Sequence, residues 1–227
     1  MQTAVVIPAL NEADSLRGLL PELLRVLPGA RVVVVDNGSS DGTAEVAAAA
    51  GVGVVVEPRK GYGSACLAGV QSLRANPPDV LVILDADHAD DPAFLPGFVE
   101  RITEGMDFVV STRTQGGAEQ GALTSIQVWG NRLQTVALRV RFGLELTDMG
   151  PMRAIRWNAF ESLGMQDLTW GWNIEMACKA ARAGLRIEEV PVTYRCRQDG
   201  VSKISGSVSG AARAGVKILY ALAKYGR

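Results

Sequence analysis

A chain of 227 residues, 48% of them hydrophobic, can bury one substantial core, so a single domain is expected. A formal net charge of −1 argues against a general nucleic-acid binder, and no apolar run reaches the length that spans a bilayer. Cys66, Cys178 and Cys196 are odd in number and too widely spaced for a metal site, which fits idle thiols in a reducing, cytoplasmic setting.

The first half alternates short β-branched runs with helical patterns, as a mainly parallel α/β sheet flanked by helices requires. Ala4 to Ile7 reads as a strand ending at Pro8. Leu16, Leu19, Leu20, Leu23, Leu24 and Leu27 then mark one apolar helix face, which Pro21 is expected to kink or split. Arg31 to Val35 is a second strand, continuous enough to be buried on both faces. Asp41 is placed to cap an Ala-rich helix over 43–50, and Gly51 ends it. A third strand over 52–57 leads through Arg59-Lys60 into Gly61-Tyr62-Gly63 and a helix to about Ala75. Val80 to Leu84 is the fourth strand; Asp90 and Asp91 cap the helix that follows over 94–103, and Phe108 to Ser111 is the fifth strand.

The second half is less regular. Gly116-Gly117 and Gly121 mark a mobile loop, 126–142 and 173–183 read as helices, and 187–194 reads as a strand that Pro191 restricts to an edge or a bulge. A helix over 211–225 combines Val216, Ile218, Leu219, Tyr220 and Leu222 with Arg213, Lys217 and Lys224, which suits either a membrane surface or packing on the domain. Charge is segregated along the chain: residues 1–175 carry 13 Lys/Arg against 21 Asp/Glu, whereas 176–227 carry 10 against 3. Such a basic tail attracts phosphates or an anionic membrane, or is simply a solvated face.

Chemistry concentrates where strands end. Asp85 and Asp87 sit one residue apart after the fourth strand, and that spacing points both side chains the same way. Hard divalent cations take oxygen ligands, so the pair reads as a clamp for Mg²⁺ or Mn²⁺ on a phosphorylated substrate. Asn11-Glu12 and Asp36 end the first and second strands and would share one rim with it. A nucleotide offers base and ribose donors to Asp36 and Glu12 and a diphosphate to the metal. A dinucleotide-binding oxidoreductase is the obvious rival, but Pro8-Ala9-Leu10-Asn11-Glu12 has no glycine where that fingerprint needs it.

Val6-Ile7-Pro8-Ala9-Leu10-Asn11-Glu12, Val35-Asp36-Asn37-Gly38-Ser39-Ser40-Asp41-Gly42-Thr43, Gly61-Tyr62-Gly63 and Asp85-Ala86-Asp87 together resemble the ordered motifs of inverting family 2 glycosyltransferases with the GT-A fold. Residues 147–154, 172–176 and 200–203 make the chain similar to the dolichyl-phosphate mannose synthase and polyprenyl-phosphate glycosyltransferase branch. The resemblance implies that Pro8, Asn11, Glu12 and Asp36 line the nucleotide pocket, with Lys60 beside them. It also implies that Asp85 and Asp87 hold Mg²⁺ or Mn²⁺ on the donor diphosphate and that Arg113 lies near the diphosphate or sugar. One departure stands out: where this branch often carries a glutamine, two residues after the second aspartate, the chain has Ala89. His88, the sole histidine, is expected to be a surface loop residue.

A polyprenyl monophosphate acceptor is already anionic at neutral pH, so it needs cations to hold it rather than a strong base; Arg195, Arg197, Ser202 and Lys203 are suited to that. A hydroxyl acceptor would need a base, and Asp148 and Glu175 are the candidates. Trp170 and Trp172 either cover the sugar or lipid or pack in the core. The expected organisation is a nucleotide-binding half over 1–112, an acceptor-side half over 113–205 and an amphipathic helix over 206–227. The expected activity is metal-dependent transfer of a hexose from a UDP- or GDP-sugar to a polyprenyl phosphate at a peripheral membrane surface. The alternatives are a soluble hydroxyl acceptor or a non-catalytic sugar-nucleotide binder.

Overall fold

The computed structural model describes residues 1–119, 121–196, 220, 224 and 225. Its first half alternates as the sequence pattern demands: β1 (Thr3–Ala9), α1 (Ala13–Val26), β2 (Arg31–Asp36), α2 (Thr43–Ala49), β3 (Gly53–Val56), α3 (Tyr62–Leu73) and β4 (Val80–Ile83). A 3₁₀ turn, Pro92–Phe94, runs into α4 (Leu95–Thr103) and β5 (Phe108–Thr112). Then come a single-turn helix α5 (Arg113–Gly116), α6 (Ser125–Phe142), β6 (Arg153–Arg156), α7 (Trp157–Leu163), α8 (Trp172–Arg182) and β7 (Ile187–Pro191).

Among the described residues the strands form one sheet of order β3-β2-β1-β4-β6-β5-β7. Only β6 runs antiparallel to its neighbours. Alternation along each strand divides the core between the two sheet faces. Val5, Ile7, Val32, Val34, Val80 and Val82 pack with Leu16, Leu20 and Phe98 on one side. Ala4, Val6, Val33, Val35, Leu81 and Ile83 pack with Val70, Leu73, Phe160 and Trp172 on the other. Strands buried on both faces must be apolar throughout, which is why β2 and β4 read as unbroken runs of Val, Leu and Ile.

The chain winds from β1 outward to β2 and β3, then returns to place β4 on the other side of β1. That reversal opens a crevice beyond the carboxyl ends of β1 and β4, where ligands of open α/β sheets bind.

Two expectations need correcting, and one strand carries no sequence signal. Pro21 does not split α1: it lies on the exposed side, so water can serve the carbonyl its missing N–H leaves behind. β6 was not anticipated, because a four-residue strand with arginine at both ends has no alternating signature. Gly116 ends α5 rather than lying in a loop; a Cβ there would stand 2.0 Å from the Val192 carbonyl oxygen, so its bare backbone is what lets α5 lie against the chain leaving β7. β7 itself is an edge strand that ends at Pro191, as that proline requires. Arg197, Ser202 and Lys203 lie outside the described residues, as does most of the tail helix. Tyr225 is described, and it is buried against Leu138, Met149, Ile174 and Cys178.

Candidate active site

A cleft of about 590 Å³ lies at the strand-order reversal, lined by Pro8, Leu10, Glu12 and Asn37 on one side and by Asp85, Ala86 and Asp87 on the other. Lys60 and Tyr62 contribute from the start of α3, and Thr169, Trp170 and Asn173 from the chain entering α8. Pro8, Glu12, Lys60, Asp85 and Asp87 thus meet on one cleft. Asn11 and Asp36 do not line it; they shape its rim. Asn11, at φ 52°, accepts the Ser40 N–H at 2.8 Å and donates its own N–H to Ser39 Oγ at 2.9 Å. Asp36, buried, accepts the Ser39 N–H at 2.9 Å. Asp41 accepts the N–H groups of Thr43 (3.1 Å) and Ala13 (3.0 Å), so one carboxylate ties the starts of α1 and α2 together.

Asn37 fixes the floor of the cleft in a way not foreseen from the sequence. Its Nδ2 donates to the carbonyls of Glu57 and Arg59, both at 2.8 Å, and its Oδ1 accepts the Gly61 N–H at 2.8 Å. Gly61 and Gly63 then permit a close backbone approach. A Cβ on Gly61 would stand 2.1 Å from the Leu168 carbonyl oxygen, and one on Gly63 would stand 1.9 Å from that of Asp167. The N–H groups of Gly63 and Ser64 bond instead to the carbonyls of Thr169 (3.2 Å) and Leu168 (3.0 Å). The Gly-Tyr-Gly segment therefore docks the 166–170 loop beside the carboxylate pair. Trp170, 45% exposed, stands on the cleft wall, whereas Trp172 is fully buried in the core.

Tyr62 donates its hydroxyl to Asp85 Oδ1 at 2.9 Å, and burial followed by the Asp85 charge pushes its pKa well above the usual phenol value. Arg153, fully buried, donates to the Gly150 carbonyl from Nε at 3.1 Å and to the Asn173 carbonyl from Nη1 at 3.1 Å. Burial lowers its pKa, while Tyr62 and Asp85 oppose that shift, so a cation lies behind the acidic rim. Both lie in motifs of the sequence, Tyr62 between Gly61 and Gly63 and Arg153 within 147–154, but those motifs assign neither a role. Asn173, within the 172–176 motif, has its Oδ1 buried with no hydrogen-bond partner.

The expected bases are both engaged. Asp148, wholly buried, accepts the Arg113 backbone N–H (2.7 Å), Arg113 Nε (2.7 Å) and Nη2 (2.8 Å), and the Met149 N–H (2.7 Å). Burial alone would raise its carboxyl pKa, but the Arg113 guanidinium and these N–H groups outweigh burial and hold it below the usual range. Arg113 also lies over the Tyr194 ring at 5.2 Å. Glu175, likewise wholly buried, accepts the N–H groups of Gln166 (2.9 Å) and Asp167 (2.7 Å) and pairs with Lys179 at 2.7 Å. Its carboxylate anchors the loop that carries Trp170.

Three residues around the carboxylate pair stand differently from expectation: His88, Arg195 and Asp90. His88 is buried, not on the surface, with Nε2 at 3.1 Å from both Glu22 Oε2 and Arg195 Nη1. Arg195 is committed to carboxylates of its own, Glu22 at 3.2 Å and Asp91 at 3.0 Å, rather than standing free for an acceptor phosphate. Asp91 caps the 3₁₀ turn by accepting the Ala93 N–H at 2.9 Å, but Asp90 is no cap. The Asp90 side chain is buried with neither oxygen hydrogen-bonded, and burial followed by the charges of Asp85 and Asp87 drives its pKa well above the carboxylate range.

The family profile described as Glycosyl transferase family 2 matches residues 4–164. The chain belongs to this family. Among family 2 relatives, the chain is 42% identical over 212 residues to an uncharacterized glycosyltransferase of Mycobacterium tuberculosis, covering 91% of each chain. It is 35% identical over 229 residues to the undecaprenyl-phosphate mannosyltransferase of Micrococcus luteus, covering 93% of this chain and 91% of that one. Its fold matches the glucosyl-3-phosphoglycerate synthase of Mycobacterium tuberculosis, crystallised with Mn²⁺, UDP-glucose and phosphoglyceric acid. That match has a TM-score of 0.78 at 23% identity and covers 99% of this chain and 79% of the other. Family 2 membership makes the chain a glycosyltransferase, and the likeness in structure gives its sheet the GT-A arrangement.

Proposed function

We propose that the chain catalyses metal-dependent, inverting transfer of a hexose from a UDP- or GDP-sugar to a polyprenyl phosphate. The donor occupies the cleft, with Pro8, Glu12, Asn37 and Lys60 around the nucleoside and Asp85 and Asp87 at the diphosphate. The oxygen-only donor set fits Mg²⁺ or Mn²⁺. Among the described residues no group of three or more His, Cys, Asp or Glu converges on one point, so the diphosphate and water would complete the coordination. Bound there, the ion would neutralise charge developing on the leaving nucleoside diphosphate. Residues 1–112 serve the nucleotide and 113–205 the acceptor.

The observation that carries the acceptor assignment is the saturation of Asp148 and Glu175. Each carboxylate is wholly buried and bonded to N–H groups and a cation, which leaves neither suited to take a proton from a hydroxyl. A phosphate oxygen, anionic at neutral pH, needs no such base. Asp148 is then a positioning residue that aims Arg113 toward the transferring group, and Glu175 is one that fixes the Trp170 loop. The name of the Micrococcus luteus relative, an undecaprenyl-phosphate mannosyltransferase, supports the same acceptor class. No helix among the described residues is long and apolar enough to cross a membrane; in this reading the lipid is met at a peripheral, cytoplasmic surface.

The test is a screen of UDP- and GDP-sugars against a short-chain polyprenyl phosphate with and without EDTA. A sugar-phospholipid product that EDTA abolishes is expected. Full turnover in EDTA refutes the metal, and turnover on soluble hydroxyl acceptors alone refutes the lipid phosphate.

A further inference from the structure

α6 has two faces of opposite character. Leu138, Asn131 and Thr135 are buried, and Asn131 Oδ1 accepts the Met149 N–H at 2.8 Å, next to the Asp148 that grips Arg113. On the far side Trp129, Leu133, Val136 and Val140 are 73%, 41%, 51% and 84% exposed. At about 100° per residue these four fall within ~60° of arc, diametrically across from the buried three, and run ~16 Å along the axis. An apolar helix stripe is ordinarily the one that packs inward. Here the stripe points out while a narrower, partly polar face packs inward.

We infer that this stripe of α6 lies in the interfacial layer of an anionic lipid bilayer. The charges decide the occupant. The helix carries Arg132, Arg139 and Arg141, all exposed, and has no acidic residue anywhere from Ser125 to Phe142. An apolar stripe flanked by cations, with a tryptophan at one end, matches a layer in which acyl chains meet anionic headgroups. A second copy of the chain suits it poorly: a two-fold contact through α6 would bring identical sets of three arginines together, with only Glu145 beyond the helix end, paired to Arg139 at 3.3 Å, to offset them. The inference builds on the lipid-phosphate reading, because it gives that acceptor a place to be met: α6 touches the bilayer on one face and the Asp148–Arg113 turn on the other.

Cosedimentation of the full chain with vesicles tests it. Binding to vesicles of equal phosphatidylglycerol and phosphatidylcholine is expected, with far weaker binding to pure phosphatidylcholine. The Trp129→Glu, Val136→Glu, Val140→Glu variant should partition at least about tenfold less. The Arg132→Gln, Arg139→Gln, Arg141→Gln variant should lose on the order of a hundredfold in binding to anionic vesicles, at about fivefold per arginine. Both variants should keep the unmodified melting temperature and turnover on a water-soluble, short-chain polyprenyl phosphate. Equal vesicle binding by the unmodified chain and both variants overturns the inference. So does concentration-dependent self-association that the glutamate variant abolishes while the unmodified chain ignores vesicles. Lipid product without vesicle binding overturns this inference alone; vesicle binding without lipid product overturns the acceptor reading and leaves this one standing.

Discussion

At the scale of single residues, the site is set by which carboxylates are open and which are spent. Asp85 and Asp87 face the cleft, whereas Asp148 gives its oxygens to Arg113 and to backbone N–H groups. Asp85→Asn and Asp87→Asn should each lower turnover at least ~100-fold, since charge neutralisation at the leaving group supplies several kcal/mol. Thermal melts of both variants should stay close to the unmodified protein. Asp148→Asn should behave in the opposite sense and cost about 3 kcal/mol in urea denaturation at neutral pH, because it leaves the largely covered Arg113 side chain without its counter-charge. The sign of its pH dependence follows from the lowered Asp148 carboxyl. A carboxyl that is more acidic folded than unfolded contributes stability that is fully present above about pH 4 and lost as pH falls through the folded value. The stability gap between the unmodified protein and Asp148→Asn should therefore close below pH 4, as urea titrations across that range would register.

Among the elements, α1 and α3 show how local rules were met or broken. Pro21 sits in the interior of a continuous α1, where it removes one backbone hydrogen bond on the exposed side. Pro21→Ala should restore that bond and raise stability by about 1–3 kcal/mol, measurable as a higher melting temperature. The start of α3 is bound by a different constraint. Gly63 has no room for a methyl group, because the Asp167 carbonyl occupies the space. Gly63→Ala should cost about 1–3 kcal/mol by overpacking and displace the loop bearing Trp170. Donor KM should rise more than kcat falls, since the cleft wall moves while the carboxylate pair stays in place.

For the molecule as a whole, charge creates a problem that the proposed metal solves. Residues 1–175 are acidic in balance, with 21 Asp/Glu against 13 Lys/Arg, yet the proposed donor is itself an anion. Like-charge repulsion of that kind disfavours a diphosphate unless a cation intervenes. UDP or GDP binding, followed by calorimetry, should weaken at least ~10-fold in EDTA and recover when Mn²⁺ or Mg²⁺ is restored. Legibility at this scale was uneven. The parallel half could be read because strands buried on both faces must be apolar, and β2 and β4 show that in unbroken runs. β6 could not be read, because its place is decided by β4 and β5 on either side rather than by its own four residues. The pocket motifs were legible as groups, but Asn11 and Asp36 shape the rim and Asn37 holds the floor, and the sequence offers no sign of that division.

What the sequence alone determined is the chemistry available: a carboxylate pair after a buried strand, polar residues ending two others, and a chain patterned for a mainly parallel sheet. Those follow from side-chain type and period, which are local properties. Only the tertiary structure decided how each charge is used. Asp148 and Glu175 look like bases as letters, but Asp148 is engaged by Arg113 from 35 residues away, and Glu175 by Lys179 on its own helix and by the N–H groups of the loop before it. Arg195 looks like a phosphate ligand and is instead paired with Glu22 and Asp91. His88, expected at the surface, is buried between two of the same partners. A carboxylate or guanidinium acquires its role from the groups that share its burial, and at Asp148, His88 and Arg195 the fold rather than neighbouring positions in the chain brings those partners in.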